Sequence, residues 1–354
     1  MIPWKRNMYT RRSAACLCLA VVLSLCLGSL MGCSTVTPEV PQVSLSLHEG
    51  TQTREPQSTQ GSGADTTVLE IITEAPTGSV IQIPTTDPFE NAEHILRMDV
   101  LSVGNADAIL LRMDDVVILV DAGERDDYRT IAAKLDSCGI RRIDHFIISH
   151  YDNDHIGTAA QVLQDYEVGN VYMPEYVRDS SLYRQMMNAL NGLSGKTAVY
   201  RLTQDMRLAL PYGEVWINAT ALYTPGMTLG SDDSHSLEEN NYSLMTSVRF
   251  GDIDLLLAGD AERERMEEFA ALTETASWDY DLIKTPHHGS YDKALGEFIR
   301  SVSPRYCTVC VADDSLVDSS LVTAMRSVGA AAYYTYDGEI HFTTDGVSMV
   351  VSRN

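Results

Sequence analysis

The distribution of apolar and polar residues divides this chain into three regions. Residues 14–32 form an almost continuous apolar run. Residues 34–93 are rich in Ser, Thr, Pro, Gln and Gly and lack the apolar periodicity that a hydrophobic core requires. From residue 94 onward, short apolar segments alternate with amphipathic ones. The pattern therefore predicts a folded domain over residues 94–354, preceded by a flexible tether over residues 34–93.

Within the predicted domain, apolar runs bounded by turn residues predict strands, and apolar residues three or four positions apart predict helices. Strands that alternate with helices favour an α/β sandwich over an all-β or all-helical fold. The predicted strands are 94–103, 107–113, 116–123, 144–150, 170–176, 198–202, 206–210, 215–223, 242–250, 252–259, 279–285, 305–311, 331–335 and 339–350. The predicted helices are 128–138, 157–166, 180–194, 261–272 and 292–301.

The N-terminal region has the pattern of a targeting segment. Basic residues at positions 5, 6, 11 and 12 precede the apolar run, which ends in the sequence LMGC, with the cysteine at Cys33. This sequence resembles the lipobox of bacterial lipoproteins, in which the cysteine is acylated and becomes the mature N-terminus. We therefore predict a lipoprotein signal peptide over residues 1–33 and a lipid anchor at Cys33. The alternative is an uncleaved membrane-spanning helix. Both place the domain outside the cytoplasm, at the bacterial cell membrane.

Acidic residues dominate the charge of the chain. It contains 26 Lys and Arg against 49 Asp and Glu, which gives a formal net charge of −23 at pH 7. A strongly negative surface repels polyanions. The composition therefore argues against nucleic acid as a partner, although it does not determine the fold.

Three cysteines, Cys138, Cys307 and Cys310, lie in the predicted domain, without the spacing of a disulfide framework. Cys307 and Cys310 belong to an apolar predicted strand, where residues three apart point to opposite faces. We expect buried thiols here rather than a zinc site or a redox pair.

The segment with the clearest chemistry is HYDNDHIG, at the carboxyl end of a predicted buried strand. It contains His150, Asp152, Asp154 and His155 within six residues. Carboxylates packed this densely repel each other unless a divalent cation binds between them. Imidazole and carboxylate together suit zinc, iron or manganese. A solvated acidic loop is the alternative for this segment taken alone.

Two more predicted strands end in side chains of the same type. The strand at 252–259 is followed by Asp260, and the strand at 279–285 leads to His287 and His288. A single aspartate after a strand more often caps the next helix. Three strand ends that all carry ligand-type side chains instead indicate a metal centre with one or two ions.

In their order along the chain, HYDNDHIG, LLLAGDA and KTPHHGS resemble the metallo-β-lactamase superfamily. Within it, the chain is similar to the hydrolase domain of the ComEC family of DNA-uptake proteins, which has H-x-D-x-D-H in place of H-x-H-x-D-H. The segments 99–108, 119–123 and 239–244 resemble further motifs of that family. The resemblance covers residues 94–345, and it implies a four-layer αββα sandwich.

The resemblance also implies a ligand set. His150 and Asp152 would hold one ion, Asp154 and His155 the second, and Asp260 would bridge the two. His287 or His288 would complete the second position, and the resemblance leaves that choice open. We take His287 as the ligand, and we expect Asp154, Asp260 and His288 to act in catalysis.

One ligand position departs from the superfamily. Most members have a further histidine before the bridging aspartate, whereas the ComEC-like branch has asparagine. His235, Asn240 and Asn241 are the candidates for this position. Asp121 is expected to support the ligand loop from behind rather than to bind an ion.

The expected activity is metal-dependent hydrolysis with zinc or manganese. Two ions that share a water lower its pKa to about 7 and stabilise charge on a phosphoryl or carbonyl oxygen. The resemblance implies a phosphodiester substrate, which could be nucleic acid. A small or cell-envelope phosphoester, such as a choline phosphoester of teichoic acid, would be repelled less by the acidic domain. The alternatives are hydrolysis of a lactone, thioester or β-lactam, and a non-catalytic metal-binding lipoprotein.

Overall fold

Strands and helices alternate along the chain in the computed structural model, which describes residues 69–70, 89–221, 228–229, 239–272 and 274–353. The strands are β1 (Leu69–Glu70), β2 (Leu96–Val100), β3 (Ile109–Met113), β4 (Val116–Val120), β5 (Arg142–Ile147), β6 (Glu167–Pro174), β7 (Val177–Arg178), β8 (Ala198–Leu202), β9 (Met206–Leu210), β10 (Gly213–Asn218), β11 (Thr228–Leu229), β12 (Met245–Phe250), β13 (Ile253–Leu257), β14 (Tyr280–Lys284), β15 (Tyr306–Val309), β16 (Ala331–Tyr334), β17 (Ile340–Thr344) and β18 (Met349–Arg353).

The helices connect these strands. The α-helices are Tyr128–Ser137, Asn153–Ile156, Ala159–Asp165, Ser181–Gly192, Arg263–Ala271, Lys293–Val302 and Ser319–Ser327. Short 3₁₀ helices are Arg125–Asp127, Thr275–Ser277, Pro286–Gly289, Asp314–Leu316 and Thr335–Asp337.

Most of the described strands belong to two mixed sheets. The nine-stranded sheet has the order β1-β18-β17-β2-β3-β4-β5-β6-β8, and the seven-stranded sheet has the order β16-β15-β14-β13-β12-β10-β9. Strands β4, β5, β6 and β8 run parallel in the first sheet, and β13 to β16 run parallel in the second. Strands β7 and β11 form a separate parallel pair.

Three apolar cores define the layers. The middle core lies between the two sheets. One outer core joins the nine-stranded sheet to helices of the first half of the chain, and the other joins the seven-stranded sheet to helices of the second half. Strand β13 shows the consequence, because Leu255 and Leu257 enter the middle core and Leu256 enters an outer one. The predicted four-layer αββα sandwich is therefore confirmed.

Cys307 and Cys310 also point to opposite faces of their sheet. Cys307 packs in the outer core and Cys310 in the middle core, and both are free and fully buried. Burial raises the pKa of the Cys307 thiol to about 12. The prediction of buried thiols at these positions is confirmed.

The parallel strands bring the predicted site residues to one edge of the sandwich, since carboxyl ends of neighbouring parallel strands lie together. Strand β5 leads to His150, β13 leads to Asp260, and β14 leads to His288. A backbone hydrogen bond of 2.8 Å from Leu244 N to Ser149 O joins the segment before β12 to the end of β5.

Two glycines permit this close approach. A side chain at Gly157 would come within 2.2 Å of the Glu124 backbone. Gly259 has φ +54°, and a Cβ there would lie 2.9 Å from that of Ser149. The loops around the site can therefore pack only if these positions lack side chains.

The structure differs from the predicted elements in the last part of the chain. The predicted strand 339–350 is wrong as one strand, because β17 and β18 form a hairpin around the turn at Gly346, which has φ +86°. The helix Ser319–Ser327 was not predicted, because Ser and Asp dominate its first turn. Asp318 caps that turn by accepting from Ser320 N at 2.6 Å.

The predicted signal peptide lies outside the described residues. Of the predicted tether 34–93, β1 and residues 89–93 are described, and β1 pairs with β18. The domain boundaries stay predictions. Within the described part of the chain, the helices are all too short or too polar to cross a membrane.

Candidate metal centre

Four ligand-type side chains meet at the edge where the parallel strands end. They are Asp154, His155, Asp260 and His288, and they offer ligand atoms that all lie within 4.8 Å of one another. His155 Nε2 is 3.1 Å from Asp260 Oδ1, and His288 Nε2 is 3.0 Å from Asp154 Oδ2 and 3.3 Å from Asp260 Oδ2. The structure thus brings residues from three strand ends to one point.

His150 and Asp152 lie beside this group. His150 is fully buried, and its Nε2 has no hydrogen-bond partner among the described residues. That atom is 3.7 Å from Asp152 Oδ2, and the His150 ring centroid is 4.1 Å from that of His155. A buried imidazole nitrogen without a partner is unfavourable unless a ligand binds it.

The short helix Asn153–Ile156 explains why these residues converge. Asp152 stands before its first turn, and Asp152 O accepts from His155 N at 3.1 Å. Residues three apart in such a turn lie on one side of the backbone. The turn therefore brings the His155 side chain toward the side on which Asp152 lies.

Asp121 contacts two residues of the ligand loop, Ser149 and His155. Its Oδ1 accepts from Ser149 N at 2.8 Å, and its Oδ2 accepts from Ser149 Oγ at 2.7 Å. Asp121 Oδ2 is also 2.8 Å from His155 Nδ1. A carboxylate that accepts from the far nitrogen of an imidazole fixes the ring and directs Nε2 to the ion.

Of the paired histidines, His288 joins the group and His287 does not. His288 is buried, and its Nδ1 is 3.0 Å from Cys310 O. The side chain of His287 is partly exposed, and its Nδ1 is 2.5 Å from Glu262 Oε1. The backbone separates the two rings, because both residues have positive φ, 45° and 50°.

Asn240 is one of the candidates for the remaining ligand position, and it has a buried oxygen, Oδ1, that forms no hydrogen bond with the described residues. Asn241 instead contacts the helix Arg263–Ala271, donating to Glu264 at 2.9 Å and accepting from Arg265 N at 3.1 Å. His235 lies outside the described residues.

Lys284, which was not predicted, lies behind the four ligand-type side chains. Its ammonium is fully buried, 2.5 Å from Asp107 Oδ2 and 3.4 Å from Asp260 Oδ1, and it donates to Gly259 O at 3.1 Å. The signal was a charged residue at the end of an apolar strand. Burial lowers the pKa of this lysine, but Asp107 and Asp260 outweigh that effect and raise it.

Arg178 and Glu239 were also missed. Arg178 Nη2 is 3.1 Å from Asp152 Oδ1, and Arg178 Nη1 contacts Glu239. Arg178 lies in a polar stretch of sequence, so the pattern offered no signal for its burial. Glu239 belongs to a segment that attracted notice only through the neighbouring asparagines.

The ionisable groups of the centre depend on each other. Burial lowers the pKa of His155, but the carboxylates of Asp260 and Asp154 raise it well above its usual value. Burial also disfavours charge on His288, yet Asp260 raises its pKa to about 9. Burial raises the pKa of the Asp154 and Asp260 carboxyls, but the imidazoles of His155 and His288 outweigh that effect and lower it. Positive charge is thus favoured at this point, and a divalent cation can supply it in place of protons.

The residues present therefore fit a divalent ion. Carboxylate and imidazole atoms from Asp154, His155, Asp260 and His288 are within reach of a common centre. His150 Nε2 is buried and has no hydrogen-bond partner among the described residues, so it is available as a ligand atom. These observations support metal binding, while the assignment of individual ligands stays a prediction.

Comparison with known proteins agrees with this geometry. The profile of the Metallo-beta-lactamase superfamily matches residues 101–312. The chain is similar to ComE operon protein 3 of Bacillus subtilis (strain 168), at 23% identity over 171 residues, 48% of this chain and 20% of the relative. It is also similar to competence protein ComA of Neisseria gonorrhoeae, at 23% identity over 217 residues, 60% of this chain and 27% of the relative. The chain thus matches less than a third of the length of either relative.

Among solved structures, the chain is similar to the metallo-β-lactamase fold protein YhfI from Bacillus subtilis, with a TM-score of 0.47 and 13% identity. The match covers 71% of this chain and 100% of that chain. The family profile spans more than half of the chain and includes the strand ends that carry the ligand-type residues. The chain therefore belongs to the metallo-β-lactamase superfamily of hydrolases, whose fold implies a bound divalent metal.

Proposed function

We propose that this protein is a metal-dependent phosphodiesterase. The observation that carries the proposal is the group Asp154, His155, Asp260 and His288, whose ligand atoms lie within 4.8 Å of one another. Mixed carboxylate and imidazole ligands suit zinc or manganese. When bound, such an ion would lower the pKa of a coordinated water and stabilise charge on a phosphoryl oxygen.

Two ion positions are proposed. Asp154, His155 and His288 would hold one ion, and His150 and Asp152 would hold the other. Asp260 is proposed to bridge them, as the resemblance implies; its two oxygens face His155 and His288 of the first position. His288 replaces His287 in this assignment, because the side chain of His287 contacts Glu262.

The surrounding residues orient the ligands. A carbonyl oxygen only accepts, so the 3.0 Å contact with Cys310 O requires a proton on His288 Nδ1. His288 Nε2 then faces Asp154 and Asp260. The carboxylate of Asp121 accepts from His155 Nδ1 in the same way. Both rings therefore present Nε2 to the centre, and side-chain motion is restricted before any substrate binds.

The substrate we propose is a small or cell-envelope phosphodiester. The resemblance to the ComEC hydrolase domain supports a phosphodiester. The net charge of −23 repels a long polyanion, because nucleic-acid binding ordinarily relies on Lys and Arg contacts to phosphate. Nucleic acid is therefore the second substrate to test.

The test uses the full-length chain, purified in detergent and supplied with manganese or zinc. We expect it to hydrolyse bis(p-nitrophenyl) phosphate and to retain metal after dialysis, as measured by elemental analysis. Asp154→Ala should lose at least about 100-fold in rate, since it removes a ligand. Asp115→Ala, at an exposed aspartate, is the matched control and should behave like the wild type.

The same panel includes nucleic acid, a chromogenic cephalosporin, lactones and thioesters. Absence of hydrolysis of both bis(p-nitrophenyl) phosphate and nucleic acid would overturn the phosphodiesterase proposal. Hydrolysis of a carbonyl substrate alone would assign the protein to that chemistry. Less than one equivalent of metal, with no hydrolysis at all, would indicate a non-catalytic lipoprotein.

We also propose that the protein is anchored outside the cytoplasm by a lipid at Cys33. The motif LMGC after a basic and apolar segment supports this location. Labelling with a radioactive fatty acid should mark the wild type and Cys26→Ala but not Cys33→Ala. Equal labelling of all three chains would contradict the anchor.

A further inference from the structure

Arg178 connects two segments that carry ligand-type residues. It belongs to β7 and is only 8% exposed. One arm of its guanidinium, Nη2, is 3.1 Å from Asp152 Oδ1, and the other, Nη1, contacts the carboxylate of Glu239. The positive charge of Arg178 therefore lies between two carboxylates, and its planar guanidinium approaches Asp152 from a fixed direction.

Glu239 is itself held by a short series of hydrogen bonds. Tyr176 Oη donates to Glu239 Oε1 at 2.6 Å, and Tyr176 Oη accepts from Tyr151 N at 3.2 Å. Tyr151 precedes Asp152 in the chain. The contacts thus run from Asp152 through Arg178, Glu239 and Tyr176 to Tyr151. They join the loop after β5 to the segment before β12.

This network leaves specific atoms free. Arg178 contacts Oδ1 of Asp152, so that Oδ2 is the oxygen that lies 3.7 Å from His150 Nε2. Asn240 directly follows Glu239, and its buried Oδ1 has no hydrogen-bond partner among the described residues. His150 and Asp152 are the residues predicted for one of the two ion positions, and Asn240 is one of the three candidates for the remaining ligand position.

We propose that Arg178 and Glu239 are positioning residues for the ion at His150 and Asp152. This inference rests on the metal-dependent function proposed above. The pair fixes the rotamer of Asp152 and the backbone that carries Asn240. Among the described residues, the hydrogen bonds and ion pairs of Arg178 and Glu239 lead to Asp152 and Tyr176 rather than to Asp154, His155 or His288, so we expect the ion at those residues not to depend on the pair.

The test measures metal binding to the full-length chain by calorimetry with Mn²⁺ and by elemental analysis after dialysis. We expect two equivalents in the wild type and one in Arg178→Ala. Arg178→Lys keeps the charge without the fork and should bind the second ion about 10-fold more weakly. Glu239→Gln should show a loss of similar size.

Arg184→Ala is the matched control. Arg184 makes an exposed contact of 2.6 Å with Asp179, close to Arg178 in sequence, and we expect this variant to bind two equivalents. Asp152→Ala, which removes the proposed ligand, should match Arg178→Ala. Loss of exactly one ion in a chain with the wild-type circular dichroism spectrum separates positioning from general unfolding.

Two results would overturn the inference. One is binding of both ions with wild-type affinity by Arg178→Ala or, if that variant does not fold, by Arg178→Lys and Glu239→Gln. The other is a wild type that binds a single ion. Either result leaves the proposed phosphodiesterase standing if hydrolysis is observed, whereas two bound ions without any hydrolysis would overturn that function alone.

Discussion

In the described part of the chain, two separate regions bring Asp, Glu and His ligand atoms within 4.8 Å of one another; a third group, Asp107, Asp121 and His155, shares His155 with the first. The first is the metal centre formed around Asp154, His155, Asp260 and His288. The second, which we call the Asp99 cluster, consists of Asp99 on β2, Arg112 on β3, Lys134 on the helix Tyr128–Ser137, His341 on β17 and Glu339 directly before β17. The two regions resemble each other in residue types and differ in how their charge is balanced.

In the Asp99 cluster, cations of the chain balance the carboxylates. Asp99 Oδ2 is 2.8 Å from Arg112 Nη2 and 3.2 Å from Lys134 Nζ, and Asp99 Oδ1 is 2.6 Å from His341 Nδ1. Lys134 Nζ also lies 2.5 Å from Glu339 Oε1. Two carboxylates thus face two permanent cations, and an added metal ion would have to displace them.

In the metal centre, the chain does not supply enough positive charge. Among the described residues, Lys284 and Arg178 are the buried lysine and arginine that contact its carboxylates. Lys284 contacts Asp107 and Asp260, and Arg178 contacts Asp152 and Glu239. Asp121 and Asp154 face His155 and His288 instead, so the carboxylates outnumber the two cations. The remaining charge must come from protonated imidazoles or from a bound divalent ion.

Ligand atoms that lie close together therefore do not identify a metal site by themselves. In the Asp99 cluster, Arg112 and Lys134 complete such a group without a metal ion. The charge that remains after all contacts are counted is what distinguishes the two regions.

The largest effect is expected when one aspartate is replaced in each region and the two variants are compared. Asp260→Asn removes the carboxylate that faces His155, His288 and Lys284, and we expect loss of bound metal and at least about a 100-fold loss of hydrolysis. Asp99→Asn should leave metal content and the rate per folded molecule unchanged. Elemental analysis and the bis(p-nitrophenyl) phosphate assay measure both, and equal metal loss in the two variants would remove the distinction.

The lysines of the two regions offer a matched pair, since each bridges two carboxylates. Lys284→Met should cost about 3–5 kcal/mol of the free energy of unfolding, because it leaves buried carboxylates unpaired. Lys134→Met should cost less, since the Lys134 side chain is 13% exposed. Added Mn²⁺ should raise the Tm of Lys284→Met toward that of the wild type, because an ion can replace the lost charge.

The control for this prediction is Lys134→Met in the same Mn²⁺ titration. Its deficit in Tm relative to the wild type should not change with the metal concentration. A similar recovery in both variants would show that the Asp99 cluster also binds the ion.

Asp99 allows a test by pH. Burial raises the pKa of this carboxyl, but His341, Lys134 and Arg112 lower it to about 2. Its folded pKa is below its unfolded value of 3.8, so its stabilisation is present above pH 4 and lost as the pH falls toward 2. Asp99→Asn should therefore cost about 2 kcal/mol at pH 7, roughly half of that at pH 3 and little at pH 2, as measured by urea unfolding. A constant difference across this range would contradict the ion-pair explanation.

The smallest effect is expected at Asp281, a carboxyl outside both regions. Burial raises its pKa to about 6, and the Arg305 guanidinium at 3.6 Å does not offset that effect. Because its folded pKa exceeds the unfolded value, stability falls as the pH rises from about 4 to 6. Asp281→Asn should remove this dependence and stabilise the protein at pH 7 by about 1 kcal/mol. Unfolding curves at pH 4 and pH 7 measure it, and a destabilised variant at pH 7 would refute the explanation.

Much of the fold and of the site could be predicted from local patterns. Alternation along β13 and helical spacing along residues 128–137 identified elements of the right type, because side-chain direction repeats every two or about 3.6 residues. The ends of β5, β13 and β14 could be located in the same way. The hairpin β17–β18 could not be located in this way, because apolar residues continue on both sides of the short turn at Gly346.

The choice between His287 and His288 shows where local pattern stops being informative. The two residues are adjacent and identical in type, so spacing does not distinguish them. The contact of His288 with Cys310 O and that of His287 with Glu262 separate them in the structure. Both contacts join residues more than twenty positions apart.

The sequence by itself determined which side chains are available for the centre and the strand ends that carry them, because these depend on local periodicity and motif order. The tertiary structure decided which of them face each other, since Lys284 meets Asp107 and Arg178 meets Asp152 and Glu239 only when distant segments pack together. It also decided that Asp99 is neutralised within the chain. The balance of buried charge is a sum over contacts between distant segments, and for that reason only the folded chain reveals it.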